Sequence, residues 1–379
     1  MPMLHKIRVL IVDDSLFFRT SLERALKKDP AIEIVGMAYD AHDAMDKIQK
    51  LRPSVVTLDV EMPKMNGIDF LRKLLPVHRV PVVVVSAAPV QVFDALSAGA
   101  VDFVRKPELR SPSDFAAFSA DLAEKIKAAS MAKVHLPRTA AAPAAPAAVS
   151  PAAAVPAAFP APASAPAAAS PMAAPAIFTR PLPAFAGPRN KDTVIAIGAS
   201  TGGTEATVAV VKNLPANTPG IVIVQHMPPV FTSMYAQRLN RICNMRAVEA
   251  TDMERVEQGK IIIGAGEYHL RLARDAQGYY VTSRPGEKVS GHCPSVDVLF
   301  DSVASTAGPN AVGVILTGMG SDGAQGLLKM RRRGAYTIGQ DQETCVVYGM
   351  PCVAFENGAV QKQLPLDSIA ADILNYVGK

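Results

Sequence analysis

Two groups of residues in this chain could do chemistry. The first is acidic: Asp13 and Asp14 follow one apolar run, Asp59 follows another, and Ser86 and Lys106 follow two more. Carboxylates gathered at one edge repel one another unless a cation sits among them, and hard oxygen ligands with room for water suit Mg²⁺. A carboxylate beside such an ion, an ammonium and a hydroxyl is a good phosphoryl acceptor, because both cations neutralise charge on the transferred oxygens. Any one of these acids alone reads more simply as a helix N-cap; five groups on four strand ends do not. The second group is nucleophilic. Gly198-Ala199-Ser200-Thr201-Gly202 fits G-x-S-x-G, in which small neighbours permit a sharp turn that exposes a serine hydroxyl.

A serine nucleophile needs a base, and the base needs a carboxylate. His226 ends the apolar run of IVIVQHMPP, the same kind of position as Ser200. His269 lies within GEYHLRL, where simple exposure on an edge strand is the plain expectation, and His292 lies in the glycine-bearing loop SGHCPS, touching substrate or solvated. Asp322, in LTGMGSDGA after another buried run, is the best-placed acid, though it could equally cap the next helix. Asp252, Asp297 and Asp341 follow no comparable strand. The glycine-rich turn also suits phosphate, since a helix N-terminus follows it, but it lacks the lysine of a P-loop. The order serine, histidine, acid differs from that of the α/β-hydrolases, so the motif does not bring that fold with it.

The elements that must hold these residues alternate strand and helix. Residues 7–12, 32–36, 55–58, 81–85 and 101–104 are short apolar runs separated by amphipathic segments, with Asp40 placed to cap the second helix. Strands apolar on both faces and separated by helices imply a parallel sheet covered on both sides. Residues 193–197, 221–225 and 311–316 repeat the pattern, with helices expected at 230–240 and from about Asp322. Segments 260–264, 269–273 and 279–283 look like an edge meander or hairpin. Between the two patterned regions the chain is mostly Ala and Pro, with too little bulky apolar surface to offset the entropy of ordering. The expected organisation is a domain at 1–127, an Ala/Pro-rich linker at 128–190 and a second domain at 191–379. Both domains are read as doubly wound α/β: the first flavodoxin-like, the second Rossmann-like with some antiparallel structure at one edge.

Composition excludes several classes. The chain has 379 residues, 49% of them hydrophobic, enough for two cores. A net charge of +5 without a basic, aromatic-interleaved block does not predict nucleic-acid binding, and Arg331–Arg333 reads as the solvated end of a helix. The four cysteines show no metal-ligand spacing and read as reduced thiols. No signal sequence or membrane-length apolar run is evident, so a soluble cytoplasmic protein without membrane insertion is expected. A DNA-binding regulator would need a basic recognition helix, and a nucleotide-binding second domain a fuller glycine motif; neither is present.

IVDDS, LDVEMPKMNG, VVVVSA and DFVRKP resemble the response-regulator receiver family over nearly all of residues 5–125. The resemblance implies Asp59 as phosphoacceptor, Asp13 and Asp14 with Asp59 around Mg²⁺, Ser86 and Phe103 as switch residues and Lys106 as phosphoryl partner. IGASTGG, VQHMPP, GHCPSVDVLF, ILTGMGSDGA and CVVYGMP resemble the CheB chemotaxis methylesterase family over nearly all of residues 193–375. That resemblance implies a triad of Ser200, His226 and Asp322, with backbone N–H groups near Thr201 and Met319 as the oxyanion hole. It implies a phosphorylation-activated esterase that needs no cofactor for hydrolysis. Its substrates would be methylated glutamates, and some glutamines, on chemoreceptor cytoplasmic helices, and a chemotaxis histidine kinase would be the phosphodonor. The Ala/Pro linker is longer than that family leads one to expect.

Overall fold

A computed structural model describes residues 6–87, 89–107, 112–134 and 182–378. Most of the expected linker at 128–190 lies outside the described residues.

The first domain runs β1 (Ile7–Val12), α1 (Leu16–Leu26), β2 (Ile32–Ala38), α2 (Ala41–Leu51), β3 (Val55–Asp59), α3 (Gly67–Leu74), β4 (Val82–Ser86), α4 (Pro89–Ser97), β5 (Asp102–Arg105) and α5 (Pro112–Ser130). Its five strands are parallel, in the order β2-β1-β3-β4-β5. β3 and β4 are buried throughout, which accounts for their unbroken apolar sequence. Asp40 caps α2 as expected, and the structure adds Ser15 and Asn66 as caps of α1 and α3: each accepts a hydrogen bond from a backbone N–H in the first turn. Because β1 and β3 are neighbours, the carboxyl-end acids of both strands meet at one edge.

The second domain continues with β6 (Val194–Ala199), α6 (Gly203–Val211), β7 (Ile221–Gln225), α7 (Phe231–Ile242), β8 (Arg246–Glu249), β9 (Glu254–Arg255), β10 (Lys260–Ile263), β11 (Tyr268–Asp275) and β12 (Gly278–Pro285). It ends with α8 (Val296–Thr306), β13 (Ala311–Ile315), α9 (Ala324–Arg332), β14 (Tyr336–Gln340), α10 (Met350–Glu356), β15 (Lys362–Leu364) and α11 (Leu366–Val377). Seven parallel strands lie in the order β15-β14-β13-β6-β7-β10-β8. From β6 the chain winds outward through β7 and later, from β13, outward the other way. The crevice of a doubly wound sheet therefore opens at β13, β6 and β7.

One strand lies elsewhere than expected. β10 is not part of a meander; it is an interior parallel strand between β7 and β8. Its run of three isoleucines is buried on both faces, and β8 beyond it takes the edge. Antiparallel pairing is confined to a separate three-stranded sheet, β11-β12-β9.

Close packing under the central strands leaves no room for side chains at one point. A Cβ on Gly198, at the end of β6, would lie 2.1 Å from Val296 Cγ1 at the start of α8. Gly198→Ala is therefore expected to destabilise the second domain by about 1–3 kcal/mol, read as an earlier midpoint in chemical denaturation. An unchanged midpoint would mean that α8 does not press on β6 in this way.

Candidate active site

Three adjacent strands deliver the nucleophilic group. Ser200 is the first residue after β6, His226 the first after β7, and Asp322 lies on the loop leaving β13. His226 Nδ1 is 3.1 Å from Ser200 Oγ, and its Nε2 is 2.7 Å from Asp322 Oδ2. The imidazole thus faces the serine with Nδ1 and the carboxylate with Nε2. A neutral ring protonated on Nε2 accepts from the serine hydroxyl and donates to the acid, which is the arrangement a general base requires.

Asp322 does not cap the helix that follows it; Gly323 occupies the N-cap of α9 and makes no side-chain cap bond. Its carboxylate instead meets the start of α8, accepting from Ser295 Oγ at 2.7 Å, Val296 N at 2.7 Å and Asp297 N at 3.0 Å. Burial pushes this carboxyl up, but the hydrogen bonds from His226, the Asp297 backbone and Ser295 outweigh it and hold it below the usual aspartate value. It stays ionised at neutral pH.

The turn around Ser200 is pinned on three sides. Its N–H donates to Thr317 O at 3.0 Å, while its carbonyl accepts from Gly203 N at 2.7 Å and from Gln225 Nε2 at 2.9 Å. Thr317 Oγ1 donates to Thr201 O at 3.0 Å. Among the described residues the backbone N–H groups of Thr201 and Met319 donate to no protein acceptor, so both are available to a substrate oxygen. Ser295 and Gln225 escaped the sequence reading. The signal for Ser295 was present, since a serine before a helical apolar run is an N-cap pattern, and it does accept from Val298 N. Nothing local pointed from Gln225 to the serine turn.

The rival residues have other partners. Asp252 accepts from Ser283 N and pairs with Arg284, Asp297 accepts from Gly326 N, and Asp341 accepts from Thr344 N and Oγ1. His269 is 5% exposed, against the expectation of a solvated edge residue. Its Nε2 lies 2.7 Å from Glu287 O and its Nδ1 accepts from Ser295 N at 3.3 Å, so it ties down the β12–α8 loop. His292 is half-buried and not remote: its ring stacks on His226 with centroids 3.6 Å apart.

The acidic group is also assembled. One carboxylate oxygen from each of Asp13, Asp14 and Asp59 lies within 4.8 Å of the others. Asp13 and Asp59 are buried and Asp14 is exposed. Lys106 Nζ sits 2.7 Å from Asp13 Oδ2 and 2.5 Å from Asp59 Oδ2, but Asp13 Oδ2 receives no aligned hydrogen bond. A buried, under-coordinated carboxylate oxygen beside an exposed acid fits a hard divalent cation. Burial, reinforced by Asp13 and opposed by Lys106, raises the Asp59 carboxyl to about 6. Ser86 is fully buried at the end of β4, the strand next to β3.

The two domains meet over the serine. Phe103 on β5 packs against Phe231 of α7 with ring centroids 4.7 Å apart, and Phe93 of α4 stacks on Tyr235 at 5.8 Å. Arg238 Nη2 donates to Ser97 Oγ at 2.8 Å and Lys133 N to Val346 O at 2.8 Å. Closest to the nucleophile, Thr201 Oγ1 donates to Asp102 Oδ2 at 2.6 Å. Asp102 also accepts from Lys125 Nζ at 3.1 Å and Phe103 N at 2.8 Å. No described helix is long and apolar enough to cross a membrane.

Residues 9–112 match the response regulator receiver domain family and residues 195–373 the CheB methylesterase family. A protein-glutamate methylesterase/protein-glutamine glutaminase of Syntrophomonas wolfei is 49% identical over 99% of this chain and 97% of its own length. Its counterpart in Agrobacterium fabrum is 48% identical over 97% of this chain and 95% of its own. The crystallised CheB methylesterase catalytic domain of Thermotoga maritima is 37% identical, with a TM-score of 0.48, covering 49% of this chain and 98% of that one. With a receiver ahead of a serine–histidine–aspartate crevice, and with the Syntrophomonas and Agrobacterium relatives 48–49% identical over nearly its full length, the chain belongs to the CheB methylesterase family.

Proposed function

We propose that this protein hydrolyses γ-methyl esters of glutamate on chemoreceptor helices, deamidates selected glutamines there, and is switched by phosphorylation of Asp59. The observation that carries the hydrolytic reading is the unbroken hydrogen-bonded line from Ser200 through His226 to Asp322 at the ends of three neighbouring strands. Ser200 Oγ attacks the ester carbonyl carbon while His226 Nδ1 takes its proton. Asp322 stabilises the imidazolium through Nε2–H. The N–H groups of Thr201 and Met319 receive the developing oxyanion, an interaction worth about 3 kcal/mol per donor. The imidazolium returns its proton to the methoxy oxygen, methanol leaves, and a glutamyl ester of Ser200 remains. His226 then deprotonates water, which attacks this ester and frees the glutamate carboxylate. With a glutamine substrate the same steps release ammonia.

In the first domain Asp13, Asp14 and Asp59 would hold Mg²⁺, which when bound neutralises charge on an incoming phosphoryl group. Asp59 accepts that group from a histidine kinase or a small phosphodonor, and Lys106 and Ser86 engage its oxygens. The modification adds nearly two negative charges beside Lys106, one residue beyond β5. β5 also carries Phe103 and Asp102, the two residues that touch Phe231 and Thr201. The docked domains correspond to the resting enzyme. A receptor helix about 10 Å across has no path to a serine whose next residue is hydrogen-bonded to the receiver.

Two outcomes test this reading by methanol release from methylated receptor membranes. Ser200→Ala is expected to lower kcat by at least about 10³-fold, and Asp59→Ala to remove the response to a phosphodonor while leaving basal release in place. Asp102→Ala is expected to raise basal release by about ten- to a hundredfold, since a charged hydrogen bond worth about 1.5–3 kcal/mol holds the domains closed. Basal release unchanged by Asp102→Ala would show that this contact does not restrain the enzyme.

A further inference from the structure

The loop from β12 to α8 reaches the site twice. Val289 and His292 exchange N–H···O bonds of 3.0 and 2.9 Å around Ser290 and Gly291, whose φ angles are +53° and +84°. Positive φ at both central residues is the signature of a two-residue turn of the I′ kind, and it fixes where His292 projects. The His292 ring lies over that of His226 with centroids 3.6 Å apart and planes within 12° of parallel. Three residues on, Ser295 donates to Asp322 at 2.7 Å. One loop therefore holds the acid by its edge and covers the face of the imidazole between acid and serine.

We propose that His292 is a positioning residue for the base: its ring covers one face of His226, keeps the imidazole in the plane that joins Ser200 Oγ to Asp322 Oδ2, and keeps water off that face. This rests on reading His226 as the base of ester hydrolysis. Two hydrogen bonds at opposite edges leave an imidazole free to rock about the line between them; a parallel ring at van der Waals distance removes that freedom. A displacement of about 1 Å at a reacting group costs on the order of 10²-fold in rate, so the stack acts on kcat. Burial, then the charge of His226, push the His292 ring down to about 4, with Lys288 and Lys125 acting in the same direction and Asp322 opposing. The covering ring is thus uncharged across the working range. When His226 takes the serine proton, it becomes the one imidazolium in the stack and meets no like charge on its covered face.

The test uses the full chain with a small phosphodonor and methylated receptor membranes, measuring methanol release from pH 5 to 9. His292→Phe preserves a flat uncharged ring and is expected to keep kcat within about threefold of wild type. His292→Ala removes the face and is expected to lose about tenfold or more in kcat with KM changed less than about twofold. His292→Arg keeps a flat group but fixes a cation over His226. It is expected to move the acid limb of kcat to lower pH by about one unit, because a like charge disfavours the imidazolium. The proposal is overturned if His292→Ala matches wild type in kcat, if its effect falls on KM alone, or if His292→Phe loses as much as His292→Ala. Ser200→Ala is run alongside. Activity retained there removes the esterase reading itself, whereas activity lost there with a silent His292→Ala removes this inference alone.

Discussion

A single buried carboxylate organises the second domain's candidate site. Asp322 accepts four hydrogen bonds, one each from His226, Ser295 Oγ and the N–H groups of Val296 and Asp297. The last two are the free donors that every helix leaves at its start, and the positive end of the α8 dipole favours the same charge. A carboxylate so buried would otherwise take up a proton; here the donors keep it ionised. Its charge then selects the tautomer and the rotation of His226, and His226 in turn orients toward Ser200. The loop before α8, the end of β7 and the turn after β6 are all referred to this one group.

The same compactness links regulation to catalysis. The serine turn is backed by buried hydrogen bonds from Gln225 and Thr317, so the exposed side of the turn is where a partner can act on it. The receiver uses that side. Asp102 and Phe103 are consecutive on β5, and Lys106, which contacts Asp59, follows one residue after the strand ends. The phosphoacceptor's ammonium partner and the two residues that touch the second domain therefore lie within five residues of one another on one short strand and its exit. Lys125 reinforces the coupling by binding the Asp102 carboxylate and the Phe103 carbonyl together.

The sequence made much of this legible because parallel sheets place function at strand ends and because buried strands are unbroken apolar runs. Asp13, Asp14, Asp59, Ser86 and Lys106 could be named from that rule, as could Ser200 and His226. Where local pattern was short or ambiguous the reading went astray. Lys260–Ile263 is only four residues, and nothing in it says whether its neighbours are parallel or antiparallel. His269 alternates like an edge residue, yet a loop nearly twenty residues later folds over it.

Residue types, their order and the period of the apolar pattern therefore determined the two α/β domains, the candidate nucleophile and base, and the phosphoacceptor cluster. Those features depend on chain-local rules of burial and turn geometry. Tertiary structure alone decided that Asp322 is held by a helix before it in the chain, that His226 turns Nδ1 to the serine, that His292 lies on its face, and that Asp102 reaches Thr201. Each of these is a contact between segments brought together only by packing. The strength of a hydrogen bond or a ring stack depends on distances of a few tenths of an ångström, which no spacing along the chain encodes.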